Sequence, residues 1–117
     1  MAFAVVGTRT FNDYELLKET LDKYVIKKII SGGAKGADKL AEKYAKDNNI
    51  DIVIFLPDWA KYGKRAGPLR NILIVNECDT LIAFWDGESL GTKSSIDIAK
   101  DNNKKLIIID TKKHIEH

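Results

Sequence analysis

The sequence predicts an α/β domain, a three-layer sandwich around a parallel sheet of five strands in the order 3-2-1-4-5. Short apolar runs alternate along the chain with stretches of helical periodicity. The runs are almost continuously apolar, as in strands covered on both faces, and turns rich in glycine stand after several of them. Strands alternating with helices pair in parallel through right-handed crossovers, which gives the three layers.

Residues 3–7 form the first apolar run and close on Gly7. Asn12 or Asp13 then caps a helix in which Leu16, Leu17, Leu21 and Tyr24 recur at helical spacing. Residues 26–31 make the second strand. Residues 36–48 make the second helix, with Ala37, Leu40, Ala41, Tyr44 and Ala45 on one face. Residues 51–56 are the third strand. A connection rich in Pro, Gly and cations, residues 57–67, leads into a helix over residues 68–78, where Pro68 in the first turn costs no hydrogen bond. Residues 80–85 form the fourth strand, 92–102 the last helix and 105–110 the last strand. In such a doubly wound, Rossmann-like order the connections leave the first strand in opposite senses, and ligands bind beyond the strand carboxyl ends.

A chain of 117 residues is one domain with one core. It buries roughly two-thirds of its unfolded surface and needs no disulfide or structural metal to fold. We expect the domain over residues 1–111 and a polar tail over 112–117, to which no function is given. Apolar residues at 44% and charged residues at 31% exclude a disordered or membrane protein, and no apolar run approaches the roughly 18 residues of a membrane span. The first residues lack the basic flank of a secretory signal, so a cytoplasmic location is expected. Cys78 is the only cysteine; with no histidine in the folded region to activate it, it reads as a small packed residue near a helix end. No Cys/His cluster suggests a metal, and no cofactor is expected. A net charge of +2 is too weak a field for general nucleic-acid binding. Any electropositive site must be local.

The unusual chemistry lies in loops that share one edge of the sheet. After the first strand, Gly7 lets backbone approach a ligand, Thr8 offers a hydroxyl and Arg9 a fork for phosphate or carboxylate. After the second, Ser31, Gly32, Gly33, Ala34, Lys35 and Gly36 open directly into a helix, an arrangement that can turn consecutive N–H groups and a helix dipole toward an anion. Asp38 in that first helical turn reads as structural more readily than catalytic, and the plain alternative for the loop is a tight strand-to-helix turn. After the third strand come Trp59, Tyr62, Lys64, Arg65, Gly67, Arg70 and Asn71, a local positive field with aromatic surfaces for stacking. After the fourth, Trp85, Asp86, Gly87, Ser89, Gly91 and Thr92 repeat the pattern of glycine and hydroxyl at a helix start. Thr92 or Ser89 either caps the helix or holds a phosphate oxygen. Trp85 either stacks on a base or completes the core, and Asp86 is placed to bond a ribose hydroxyl.

Taken in order, Gly7-Thr8-Arg9, the Ser31-to-Asp38 segment, Trp59, Gly63-Lys64-Arg65-Ala66-Gly67, Arg70-Asn71, Ala83-Phe84-Trp85-Asp86-Gly87 and the Ser89-to-Thr92 turn resemble the YspA-like branch of the SLOG superfamily. The resemblance runs over nearly the whole chain. It implies a Rossmann-like domain that handles nucleotides or nucleotide-derived signals, with ligand binding rather than a settled reaction. The related Lonely Guy enzymes cleave the N-glycosidic bond of nucleoside 5′-monophosphates with an Arg and a Pro-Gly-Gly-x-Gly-Thr-x-x-Glu motif. By that resemblance Arg70 and Gly91-Thr92 match, while Ser95 stands where the Glu would be. Arg70 and Asp86 are therefore the catalytic candidates if the protein is an enzyme. DNA-processing protein A, a binder of single-stranded DNA, shares the Ser-Gly-x-Ala-x-Gly-x-Asp pattern at Ser31–Asp38. An extended stacking platform for nucleic acid is not evident here.

The reading is therefore a binding module for a nucleotide-like small molecule, with a nucleotide N-glycosidic-bond hydrolase and a single-strand nucleic-acid binder as the alternatives. Residues 69–75 are apolar enough to serve either the core or a homodimer interface.

Overall fold

A computed structural model describes residues 1–114. Five strands, β1 (Ala2–Gly7), β2 (Lys28–Ser31), β3 (Asp51–Ile54), β4 (Thr80–Trp85) and β5 (Lys105–Asp110), form one sheet in the order β3-β2-β1-β4-β5. Every pairing is parallel, from Ala2 beside Lys28 on one flank of β1 to Gly7 beside Phe84 on the other. The predicted fold class and strand order are those observed.

Period-two alternation assigns the two faces. Phe3, Val5, Ile29, Ile82 and Phe84 pack under α1 (Tyr14–Leu21) and α2 (Ala37–Asp47). Ala4, Val6, Ile30, Leu81 and Ala83 point the other way, under α4 (Ala66–Glu77) and α5 (Leu90–Asp101). A four-residue helix, α3 (Trp59–Tyr62), and a 3-10 turn (Gly63–Arg65) precede α4. Segment 57–67 is thus largely helical rather than a plain connection. Pro68 still falls within the first turn of α4, where its missing N–H has no intrahelical partner to lose.

Local chemistry explains the boundaries. Asp13 caps α1 by accepting the Leu16 N–H at 3.0 Å, and the helix stops at Leu21, short of Tyr24, whose ring packs on Phe3 instead. The edge strand β3 departs from the expectation of cover on both faces. Ile52 and Ile54 stay exposed there, as does Ile108 on the opposite edge, because an edge strand has one neighbour and the helices lie over the central strands. On α4, Ala66, Ile74 and Val75 are buried while Ile72 and Leu73 face outward, so the helix is core on one side only. Cys78 is buried and donates its thiol to the Val75 carbonyl at 3.3 Å, and burial pushes its pKa up. The predicted tail begins as a 3-10 turn, Thr111–His114, with Lys112 paired to Glu88; residues 115–117 of that tail lie outside the described residues.

β1 is the switch point, since the chain leaves it toward β2 and β3 and returns on its other side as β4. The loops after β1, β2 and β4 therefore surround a crevice at one end of the sheet.

Candidate functional site

The crevice has two lobes, each of about 380 Å³. The first lies beyond β1 and β4. Gly7, Thr8, Arg9 and Thr10 form one wall, Ala34 and Asp38 a second, Arg70 and Asn71 a third, and Asp86, Ser89, Gly91, Thr92 and Ser95 the last. The second lobe lies beyond β2 and β3, between Gly32, Gly33, Ala34 and Lys35 on one side and Leu56, Pro57 and Trp59 on the other. Arg9, Ala34 and Arg70 belong to both. Gly91 and Gly33 therefore border adjoining lobes on either side of a wall that contains Arg70.

Backbone packing sets the first loop on the second. Gly36 caps α2 at φ 84°, and a Cβ there would strike the Thr8 carbonyl oxygen and come within 2.8 Å of the Arg9 backbone. Only glycine allows that approach. The Thr8 hydroxyl accepts the Asp86 N–H at 3.2 Å, which joins the first loop to the one after β4.

Arg70 is held by what surrounds it. Its Nη1 donates to the Gly32 carbonyl at 2.6 Å and its Nε to Asn71 Oδ1 at 3.1 Å. A guanidinium has five N–H donors. Two are taken, so the remainder can face the crevice. Burial and the neighbouring Arg9 lower its pKa while Asp38 raises it, so the charge persists. Asn71, itself buried, turns its Nδ2 toward the Gly91 carbonyl at 3.5 Å.

Asp38 changes the expected picture of the glycine turn. Its Oδ2 accepts the N–H groups of Gly32 at 3.0 Å and Ala34 at 3.2 Å, and the Ser31 hydroxyl accepts that of Gly33 at 3.1 Å. The consecutive amides that the sequence offered to an anion are thus bound within the chain. The turn presents Arg70, anchored on Gly32, in their place. Burial raises the Asp38 carboxyl to about 6, against the opposing pull of the two amides and Arg70.

The β4 loop is an Asx turn. Asp86 Oδ1 accepts the N–H groups of Glu88 and Ser89, both at 2.9 Å, and these bonds hold its pKa below the usual carboxylate range. Ser89 stands at the N-cap of α5 without a side-chain cap bond; its hydroxyl lies 3.2 Å from that of Thr92. The first turn of α5 therefore meets the first lobe with backbone N–H groups that no side chain caps.

Some expected residues stand elsewhere. Ser31 is fully buried beneath the turn. Lys64 and Arg65 are exposed in the 3-10 turn and line neither lobe, and Gly67 lies under the Trp59 ring. Trp85 completes the core rather than offering a stacking face: it packs on the cluster beneath α4 and α5 and donates its indole N–H to the Ser89 carbonyl at 3.0 Å. Gly87 lies in the turn beside it. Thr10, Leu56 and Pro57 join the walls although the sequence did not point to them, and Ser95, expected only as the position of the absent Glu, joins them too. Ser95 was legible, since it follows Thr92 by one helical turn on the same face.

The fold and crevice define a Rossmann-like α/β domain with its site at the switch point. Within that class the chain belongs to the YspA, cpYpsA-related SLOG family, whose model matches residues 1–62. That stretch carries the loops after β1 and β2 but not Arg70 or the β4 loop. The Gene 61 protein of Mycobacterium phage D29 is 38% identical over 71 residues, which cover 56% of this chain and 57% of that protein. DNA processing protein A (DprA) from Streptococcus pneumoniae matches 92% of this chain with a TM-score of 0.73 at 20% identity, a likeness of fold. The chain corresponds to 49% of that protein, so it spans about half the length of both relatives. Among the described residues no helix is long and apolar enough to cross a membrane, and no three His, Cys, Asp or Glu side chains cluster as metal ligands.

Proposed function

We propose that the protein binds a nucleotide or nucleotide-derived small molecule through its phosphate, at the carboxyl ends of β1, β2 and β4. The observation that carries this reading is Arg70, fixed to Gly32 and Asn71 on the wall that both lobes share with Arg9 and with further N–H groups left to donate. A prepositioned guanidinium loses little side-chain entropy on binding and matches phosphate geometry. Calorimetric titration with nucleoside monophosphates tests it. Saturable binding is expected, weakened about tenfold or more in Arg70→Ala by loss of a charge-assisted contact. A folded protein that binds none of them refutes it.

One feature favours a second reading, hydrolysis of a nucleotide N-glycosidic bond. Asp38 is a buried carboxyl in the first lobe with a pKa raised to about 6, near the range of a general acid or base. Asp86, by contrast, is held below the usual carboxylate range by the Ser89 and Glu88 amides, and Ser95 supplies only a hydroxyl. The hydrolase reading predicts release of free base from nucleoside monophosphates, abolished in Asp38→Asn. Equal, negligible release by both proteins removes it.

A further inference from the structure

We propose that the ligand's phosphate is internal: a nucleoside diphosphate joined on its far side to a hydroxyl-rich group, lying across the arginine waist with its base in the second lobe. This rests on the phosphate reading above and specifies its ligand class.

The waist is the first argument. Arg9 and Arg70 line both lobes, so an anion held by them has a pocket on either side of it. A terminal phosphate would leave one lobe to water. Each lobe, at about 380 Å³, lies near the lower end of ligand pockets, which run from roughly 300 to 1,000 Å³; the two together suit a larger, two-ended molecule.

The walls then orient it. The second lobe is bordered by Leu56, 70% exposed, and Trp59, 55% exposed, with Pro57 between them. Exposed apolar and aromatic surface beside cations suits the flat face of a base. The first lobe has no aromatic ring on its walls. It is faced instead by the hydroxyl-bearing residues Thr8, Thr92 and Ser95, the Asn71 amide and the Asp86 carboxylate, all groups that bond sugar hydroxyls. Lys35, at the edge of the second lobe, adds a third cation to the two arginines, which favours a diphosphate over a single phosphodiester charge.

The test compares ADP-ribose, UDP-glucose and GDP-mannose with AMP, UMP and GMP by calorimetry, and follows Trp59 emission. At least one diphosphate sugar is expected to bind about tenfold more tightly than its own monophosphate and to quench that emission. Trp59→Ala should weaken the preferred diphosphate sugar roughly tenfold, the usual scale of one base–aromatic stack, and leave ribose 5-phosphate unaffected. Monophosphates binding as tightly as all three diphosphate sugars would overturn the inference while leaving the phosphate site standing. Absence of binding by every compound would remove the phosphate site and this ligand class together. A single-stranded oligothymidylate that outbinds them all, with affinity rising with length, would overturn it in favour of a nucleic-acid strand.

Discussion

Arg70 Nη1 donates to the carbonyl oxygen of Gly32 at 2.6 Å, a bond that spans 38 positions and ties α4 to the turn after β2. The approach depends on Gly32 having no side chain, since a Cβ there would lie 2.5 Å from Nη1 and 2.9 Å from Asp38 Oδ2. The basic wall and the acidic floor of the crevice thus meet over one glycine.

Arg70→Ala should lower stability by about 1–3 kcal/mol, because the Gly32 carbonyl and Asn71 Oδ1 lose their donor. It should also raise the Asp38 pKa above its present value of about 6, since a neighbouring positive charge is removed. Denaturant unfolding and a carboxyl-carbon NMR titration measure the two effects. A Asp38 titration midpoint that does not move would show that Arg70 is electrostatically remote from it.

Asp38 gives a pH dependence of known sign. Its carboxyl rises from 3.8 in the unfolded chain to about 6 in the fold, chiefly through burial, so the fold binds the proton more tightly. Its contribution is most favourable below the unfolded value, where both states are protonated. It is lost as pH rises through the folded value, in total about 3 kcal/mol at 1.36 kcal/mol per unit. Asp38→Asn removes the titration and keeps an oxygen for the Gly32 and Ala34 amides. The stability of wild type minus that of Asp38→Asn should fall by about 2 kcal/mol between about pH 4.5 and 7.5. A flat difference would refute the raised pKa.

The sheet order was legible because apolar period and turn residues fix which segments are strands, and alternation with helices fixes how they pair. β4 and β5 occur at the predicted residues for that reason. The walls of the site were legible only as sequence neighbours of strand ends. That Asp38 would take the amides of Gly32 and Ala34 was hidden, because a first-turn Asp serves a helix equally well without reaching back. Of the two roles left open for Trp85, the core one is fixed in part by one bond, from its indole to Ser89, which no local pattern announces. Lys64 and Arg65 were read by charge alone, and a short helix and 3-10 turn carry them off the crevice wall.

Gly36→Ala should be among the costliest small substitutions at the site. The residue combines φ 84° with ψ −131°, a region nearly closed to other residues, and its Cβ would meet backbone rather than a side chain that can rotate away. A loss of about 2–4 kcal/mol is expected, with the Thr8–Arg9 loop displaced from the crevice. Chemical unfolding measures the first and the amide shifts of Arg9 and Thr10 report the second. Wild-type stability in Gly36→Ala would mean that the loop can rise off α2 without cost.

The placement of the cations makes the sharpest contrast among single-charge changes. Arg9→Ala removes a guanidinium from the waist shared by both lobes, whereas Lys64→Ala and Arg65→Ala remove exposed charges that line neither. Over a Debye length of about 8–10 Å at ordinary salt, a distant exposed charge contributes little to a bound phosphate. Arg9→Ala should therefore weaken binding of a nucleoside phosphate about tenfold or more, and the other two should change it by less than about threefold. All three should remain within about 0.5 kcal/mol of wild-type stability, as exposed residues do, so that calorimetry reads the site and not the fold. An Arg65→Ala loss as large as that of Arg9→Ala would mean that the segment between α3 and α4 closes over the ligand, bringing to the waist a charge that the free protein keeps away from it.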